Sequence, residues 1–317
     1  MGINKDKPER WKKDIRKSVD FYNEWFMEFA PKAFRDTRKI TSMQVKDALV
    51  KTNMLHAINP DILNSYPEVL PILRMSTCPP IARDRLAGLA GVSKSFVESM
   101  ERNYRVPPKM NSQALSISLN SIGTIIQKMV DPDILVWLDR SNPPTNEEID
   151  RASNIIADRL CGAVSDPIIR NAQEQRQLTS IEHWLSSRGY KRIEKENRFD
   201  DMKPGTFSFH TNIPVVNTVG KKINVSIDVV ILSKSETAGS FPLLIEAKSA
   251  GDFTNVNKRR KEEAQKMAQL RNTYKENVRY GLFLNGYFDS GYLGYEAAEG
   301  IDWVWEHRIG DLEEYGL

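Results

Sequence analysis

Cysteine is scarce in this chain: Cys78 and Cys161 are the only two in 317 residues. That excludes a disulfide framework and points to a reducing compartment. Histidine is almost as rare. His56, His183, His210 and His307 are scattered, and there is no Cys-x-x-Cys, His-x-His or His-Glu-x-x-His to mark a zinc site. No Gly-x-x-x-x-Gly-Lys-Ser/Thr is present, so nothing marks the chain as ATP-driven. No apolar run approaches the roughly 20 residues that a bilayer-spanning helix needs. The first residues, Met1 to Lys17, are charged and carry no apolar h-region, so the expected location is the cytoplasm, with no membrane partner. Charge of one sign is lacking too. A net charge of +3 gives no global field, so any affinity for a polyanion must come from local clusters.

What is present is an ordinary globular composition, 40% hydrophobic and 27% charged, with room for two domains or one large one. From about Trp11 to Leu138 the apolar residues recur at spacings of three and four, as in Val19, Tyr22, Phe26 and Phe29, and prolines punctuate the pattern. Ser141-Asn142-Pro143-Pro144-Thr145-Asn146 reads as a linker. Thr145 with Glu148 three residues later reads as a capping box opening a helix that runs to Gly189, interrupted at Asp166-Pro167. The period then switches to strands at residues 206–216, 222–232, 241–247 and 278–284, more weakly at 303–309, with a basic helix at 257–274. The expected organisation is a mainly helical N-terminal region, 1–147, followed by a mixed α/β core, 148–317.

One constellation in the core carries chemistry. Glu246-Ala247-Lys248, the only Glu-x-Lys, closes the apolar run Phe241-Pro242-Leu243-Leu244-Ile245. Eighteen residues earlier, Asp228 sits inside Ile227-Asp228-Val229-Val230-Ile231-Leu232. A carboxylate in a buried strand is costly unless a cation or hydrogen bond compensates it. Two such strands imply carboxylates facing a shared metal, and strand alternation puts Lys248 on the same face as Glu246. Mg²⁺ takes one or two carboxylates and fills its octahedron with water and phosphate oxygens, so acid, acid and lysine suit hydrolysis of a phosphodiester. Asp201-Met202-Lys203, a second acid-x-Lys, precedes Pro204-Gly205 in a loop and is read as a decoy. Beyond Lys248 a polar loop ending at Asn255 leads into Lys258-Arg259-Arg260-Lys261, placed where a polyanion backbone would lie.

The core residues resemble the PD-(D/E)xK nuclease superfamily. Ile245-Glu246-Ala247-Lys248-Ser249-Ala250-Gly251-Asp252-Phe253-Thr254-Asn255 is similar to type II restriction endonucleases, most closely the XamI-type family. So are Ala82-Arg83-Asp84-Arg85-Leu86, Ala157-Asp158-Arg159-Leu160-Cys161-Gly162, Asp166-Pro167-Ile168-Ile169-Arg170-Asn171-Ala172-Gln173-Glu174 and the stretch from Gly291 to Trp303. The resemblance implies a restriction-endonuclease-like fold and Mg²⁺-dependent double-strand cleavage of DNA at a short palindromic site, GTCGAC for the family's namesake. It also implies 5′-phosphate and 3′-hydroxyl ends, Mn²⁺ able to substitute, and a cognate DNA methyltransferase as genetic partner. A palindromic site calls for a two-fold protein, so a homodimer is expected. Carried over, Asp228 is the first acid, Glu246 the second and Lys248 the lysine. The proline that usually precedes the first acid is replaced by Ile227. A further metal-binding acid on the first core helix would be Glu174, with Glu182 the alternative.

In the N-terminal region, residues 82–102 have the spacing of a helix-turn-helix. Ala87 is small at the crossing, Gly91 suits a left-handed turn, and Val92, Val97 and Met100 point inward. Ser93, Lys94, Ser95, Glu98 and Arg102 would then face DNA; the alternative is a helix pair that only packs its own domain. The aromatic group Tyr287, Phe288, Tyr292, Tyr295, Trp303 and Trp305 is read as core or dimer surface. Two other functions stay open: a structure-dependent repair or recombination nuclease of the same fold, and a non-catalytic DNA-binding protein. The intact Asp228, Glu246 and Lys248 argue against the second.

Overall fold

The computed structural model describes residues 2–194, 201–217, 220–253 and 256–317, without the side chains of 163–166 and 256–259. It is a mixed α/β structure with a helical N-terminal region. In order, α1 is Pro8–Lys51, α2 Pro60–Ser65, α3 Leu70–Met75, α4 Arg83–Ala90, α5 Lys94–Asn103, α6 Ser112–Met129 and α7 Asn146–Ser187. Then come β1 Lys191–Arg192, β2 Thr206–Val216, β3 Lys222–Leu232, β4 Leu243–Ala250, α8 Val256–Tyr274, β5 Arg279–Gly286, α9 Ser290–Ala298 and β6 Asp302–Trp305. The chain forms two compact units: Met1–Phe29 with Arg170–Leu317, and Ala30–Ile169. The division falls inside α1 and α7 rather than at the linker before residue 147.

The unit containing residues 170–317 is a six-stranded sheet in the order β1-β2-β3-β4-β5-β6. β2, β3 and β4 pair antiparallel; β1 with β2, and β4, β5 and β6 among themselves, pair parallel. The central strands are apolar on both faces, which is why their sequences run unbroken rather than alternating. Val230, Leu232, Leu244, Leu282, Leu284, Trp303 and Trp305 pack on the side of Met267, Leu270, Tyr292 and Leu293 from α8 and α9. Val229, Ile231, Leu243, Ile245, Phe283 and Val304 pack on the other, against Leu178, Ile181, Trp184 and Leu185 of α7.

α7 departs from expectation by running through Pro167 without a break. A helix proline forfeits one backbone hydrogen bond and kinks the helix. Here apolar faces on both sides hold it, with Ile156, Ala157 and Leu160 before and Leu178, Ile181 and Leu185 after. The helix does open with a capping box: Thr145 N–H donates to Glu148 at 2.8 Å and Glu148 N–H to Thr145 Oγ1 at 3.3 Å. The carboxyl of Glu148 is lowered to about 2, by Arg140 first and then by the Thr145 amide.

The first residues belong with the sheet. Asp302 accepts from the amides of Ile3, Asn4 and Lys5 at 2.5, 2.9 and 3.0 Å, and Arg308 donates to Asp14 and Asn4 at 2.8 and 2.9 Å. Ile3, Trp11 and Ile15 add apolar contacts. Such an anchor is written in polar residues and carries no apolar periodicity.

The unit of residues 30–169 buries Leu49, Leu63, Leu73, Leu86, Val97, Ile122 and Trp137 in one core. α4 and α5 pair through Leu86, Ala87, Phe96, Val97 and Met100, and Gly91 takes the left-handed conformation (φ 66°) that the turn requires. Trp303 ends Gly291–Trp303 in a buried strand, and Phe288, Tyr292 and Trp305 are buried as well, whereas Tyr295 is exposed.

Candidate active site

The site lies at a fork in the sheet. β3 and β4 pair only over residues 229–231 and 243–245, then separate. Continuing the register puts Asp228 opposite Glu246, on one face, as the first residues beyond the last pair. The Ala247 N–H, released from the ladder, donates to Asp228 Oδ2 at 2.9 Å.

Glu246 is 1% exposed. Two ammonium groups compensate it: Lys266 Nζ lies 2.6 Å from Oε1 and Lys248 Nζ 3.1 Å from Oε2. Lys266 also donates to the Ser226 carbonyl at 3.1 Å, tying α8 to β3. Lys248 has a second carboxylate 3.7 Å away in Glu263, likewise 1% exposed. Below the strand, Gln177 of α7 donates to the carbonyls of Phe283 at 3.1 Å and Lys248 at 3.4 Å, fixing the segment that carries the lysine. Burial, then the Glu246 carboxylate, push Asp228 up to about 7 against the pull of Lys248, the Ala247 amide and Lys266. Burial lowers the pKa of Lys248, but Glu246, Glu263 and Asp228 outweigh it and the net direction is up.

A third strand and α7 complete the arrangement. The β2–β3 register places His210 across from Asp228, and Glu174 reaches the same spot from α7. One ligand atom from each of Glu174, His210 and Asp228 lies within 4.8 Å of the others. A divalent cation fits this donor set, since it would relieve the proximity of Asp228 to Glu246 and accept the nearby oxygens. Glu182 is spent elsewhere, 3.2 Å from Arg192.

The structure thus brings Asp228, Glu246, Lys248 and Glu174 together, and adds Lys266, Glu263, Gln177 and His210, which the sequence reading passed over. Lys266 and Glu263 sit with Met267 and Leu270 at helical spacing on the inward face of α8. That signal was present, hidden in a helix whose charge suggested an exposed role throughout.

The XamI restriction endonuclease family matches this chain over residues 53–305. The type II restriction enzyme SalI of Streptomyces albus G is 48% identical over 316 residues, covering 99% of each chain. The chain belongs to the XamI restriction endonuclease family. It is a type II site-specific deoxyribonuclease, and its substrate is DNA. Among solved structures, protein VC1899 from Vibrio cholerae aligns with 80% of this chain and 55% of its own length. At 11% identity and a TM-score of 0.28, that superposition is too loose to bear on the fold.

For a restriction endonuclease of this family the DNA-facing candidates matter next. Lys261 is exposed on α8, and the Arg260 guanidinium stacks 3.6 Å over the Tyr295 ring. Asn255 and the side chains of Lys258 and Arg259 lie outside the described residues. In α5, Ser93 caps the helix by accepting from Phe96 N–H at 3.2 Å. Ser95 is exposed, Lys94 pairs with Asp84 at 2.8 Å, and Arg102 pairs with Glu98 at 2.6 Å. All five α5 candidates are on the solvent side; the charged ones must exchange these surface pairs to meet DNA. No described helix is long and apolar enough to cross a membrane.

Proposed function

We propose that the sheet-bearing unit is a nuclease core of the PD-(D/E)xK type that makes Mg²⁺-dependent double-strand cuts at a short palindromic site, GTCGAC-like by family resemblance. The observation that carries this is the placement of Asp228, Glu246 and Lys248 on one face where β3 and β4 separate, with the acids adjoining and the lysine in contact. Asp228, Glu246 and Glu174 would be the carboxylates that hold divalent cation at this site, and Mn²⁺ would substitute for Mg²⁺. When bound, such an ion lowers the pKa of a water and offsets charge developing on the phosphoryl oxygens. Lys248 orients the attacking water and adds its own positive charge beside the scissile phosphate. Glu263 and Lys266 position Lys248 and Glu246, and Gln177 holds the strand.

Arg260 and Lys261, with Asn255, Lys258 and Arg259, would line the phosphate path, and α5 would present Ser93, Lys94, Ser95, Glu98 and Arg102 to base edges or phosphates. Products would carry 5′-phosphate and 3′-hydroxyl ends. A homodimer would match the palindrome, in the cytoplasm of a cell whose cognate methyltransferase protects the host sites.

Incubating the protein with unmethylated plasmid, in Mg²⁺ and in EDTA, beside an Asp228→Ala variant, tests this. Discrete fragments are expected in Mg²⁺ only, and none from the variant. A fully active Asp228→Ala protein overturns the catalytic assignment. Structure-dependent nicking in place of discrete fragments overturns site-specific restriction.

A further inference from the structure

β2 and β3 form one antiparallel hairpin, closed where Asn217 N–H donates to the Lys221 carbonyl at 2.9 Å. Phe209 pairs with Val229 and Thr211 with Ile227, so His210 and Asp228 are cross-strand neighbours. Side chains opposite each other in such a ladder share a face and come close. At His210 the backbone turns to φ 51°, a left-handed conformation uncommon for a residue with a side chain. The half-buried imidazole then meets Glu174, with Nε2 3.8 Å from Oε1. Glu174, His210 and Asp228 come from three separate elements and converge with one donor atom each, all within 4.8 Å. Donors around one divalent ion at about 2.0–2.2 Å from the metal are separated by up to about 4 Å, so closing this set needs side-chain shifts below about 1 Å.

The donor set differs from the one at Glu246. There, oxygen alone is available, alongside two lysines. Here an imidazole joins two carboxylates: first-row ions accept such a mixed N/O set, with affinity rising from Mn²⁺ through Co²⁺, whereas Mg²⁺ is an oxygen-seeking ion that dehydrates reluctantly. We propose that His210, with Glu174 and Asp228, forms a second divalent-cation position beside the Asp228–Glu246 one, and that its nitrogen makes this position favour Mn²⁺ or Co²⁺ over Mg²⁺. Asp228 would contribute to both positions. The inference rests on the catalytic reading of Asp228 and Glu246 for the neighbouring position, and goes beyond it in assigning His210.

The test is spectroscopic and needs no cleavage. The full chain is loaded with Mn²⁺ and pulsed electron paramagnetic resonance is used to detect nitrogen coupled to the ion, in wild type, His210→Gln and Glu174→Gln. Calorimetric titration with Mn²⁺ and with Mg²⁺ accompanies it, and circular dichroism checks that each variant is folded. Wild type is expected to show imidazole nitrogen coupling that His210→Gln abolishes. His210→Gln should weaken Mn²⁺ at this position by roughly tenfold or more, the scale seen even for partners of metal ligands, while Mg²⁺ affinity moves far less. Glu174→Gln should weaken Mn²⁺ there too. Bound Mn²⁺ without nitrogen coupling, or coupling that persists in His210→Gln, overturns the assignment of His210 and leaves the Asp228–Glu246 reading intact. That reading fails separately, through the activity of Asp228→Ala.

Discussion

Glu296 offers a test of the electrostatics that does not pass through the metal position. It lies on α9, 1% exposed, and its carboxyl is pushed up to about 8, by burial first, then by Glu263 and Glu299, against the pull of Tyr292 and Arg260. The unfolded chain has an ordinary carboxyl near 4.5. Below that value both states are protonated and the group contributes nothing to pH dependence. Between 4.5 and about 8 the unfolded chain releases its proton while the native state retains it, so stability falls as pH rises. Above 8 the full cost is present. At about 1.36 kcal/mol per pH unit the interval gives an upper bound of about 5 kcal/mol, and relaxation around the group should leave about 2–3. Glu296→Gln keeps the shape and removes the titration. In EDTA it should match wild type within about 0.5 kcal/mol at pH 4.5 and exceed it by about 2–3 kcal/mol at pH 9, or roughly 3–5 °C in Tm. Urea and thermal melts across that range measure it. A difference between the two proteins that does not change with pH would refute the reasoning.

Lys266→Met leaves Glu246 with Lys248 alone. A fully buried pair broken in this way costs about 3–5 kcal/mol; with Lys266 partly exposed and Lys248 retained, about 1–3 is expected in EDTA. Saturating Mg²⁺ should recover more Tm in this variant than in wild type, and equal recovery would count against a cation position at Glu246. Asp302→Ala strands the buried amides of Ile3 and Asn4 and the part-buried one of Lys5, at about 1–3 kcal/mol for each buried amide that finds no water. Trypsin should then cut at Lys5 or Arg10 well before the rest of the protein, and unchanged digestion would remove the anchor role. Glu263→Gln takes one carboxylate from Lys248, so the lysine pKa should fall. The alkaline limb of the cleavage pH profile should move to lower pH.

Much of the sheet was legible because its strands are buried on both faces. The boundaries 206–216 and 222–232 coincide with the expected ones, since length, β-branched and aromatic enrichment and flanking glycines all favour strand there. Asp228 and Glu246 were conspicuous as charges inside such runs, and Thr145–Glu148 as a capping box before a periodic segment. Elsewhere the local signal was outvoted. Pro167 should end a helix, yet apolar faces on both sides carry α7 through it. His210 gave no local sign, because its neighbours are assigned by register across a hairpin rather than by spacing along the chain. It could have been found by pairing β2 with β3 about their turn, which puts residue 210 opposite 228. Lys266 drew no reading of its own beside the basic run at 258–261, although its spacing from Glu263, Met267 and Leu270 turns it inward.

Lys248 is the residue whose role the geometry narrows most. A lysine near a reacting water can take a proton from it only if it is itself neutral, which requires a depressed pKa. Burial pulls Lys248 that way, yet three carboxylates around it reverse the direction. A bound divalent ion would neutralise Asp228 and Glu246 and weaken their hold. Glu263, buried and 3.7 Å from the ammonium, is not among the acids assigned to the cation, so its pull on Lys248 remains when the others are masked. On the proposed reading Lys248 would stay charged through the reaction, as an electrostatic and orienting group rather than a base. The two roles predict opposite outcomes for Glu263→Gln. If positive charge is what Lys248 supplies, the variant loses activity at alkaline pH first; if a free amine is what it supplies, the variant is faster than wild type at neutral pH.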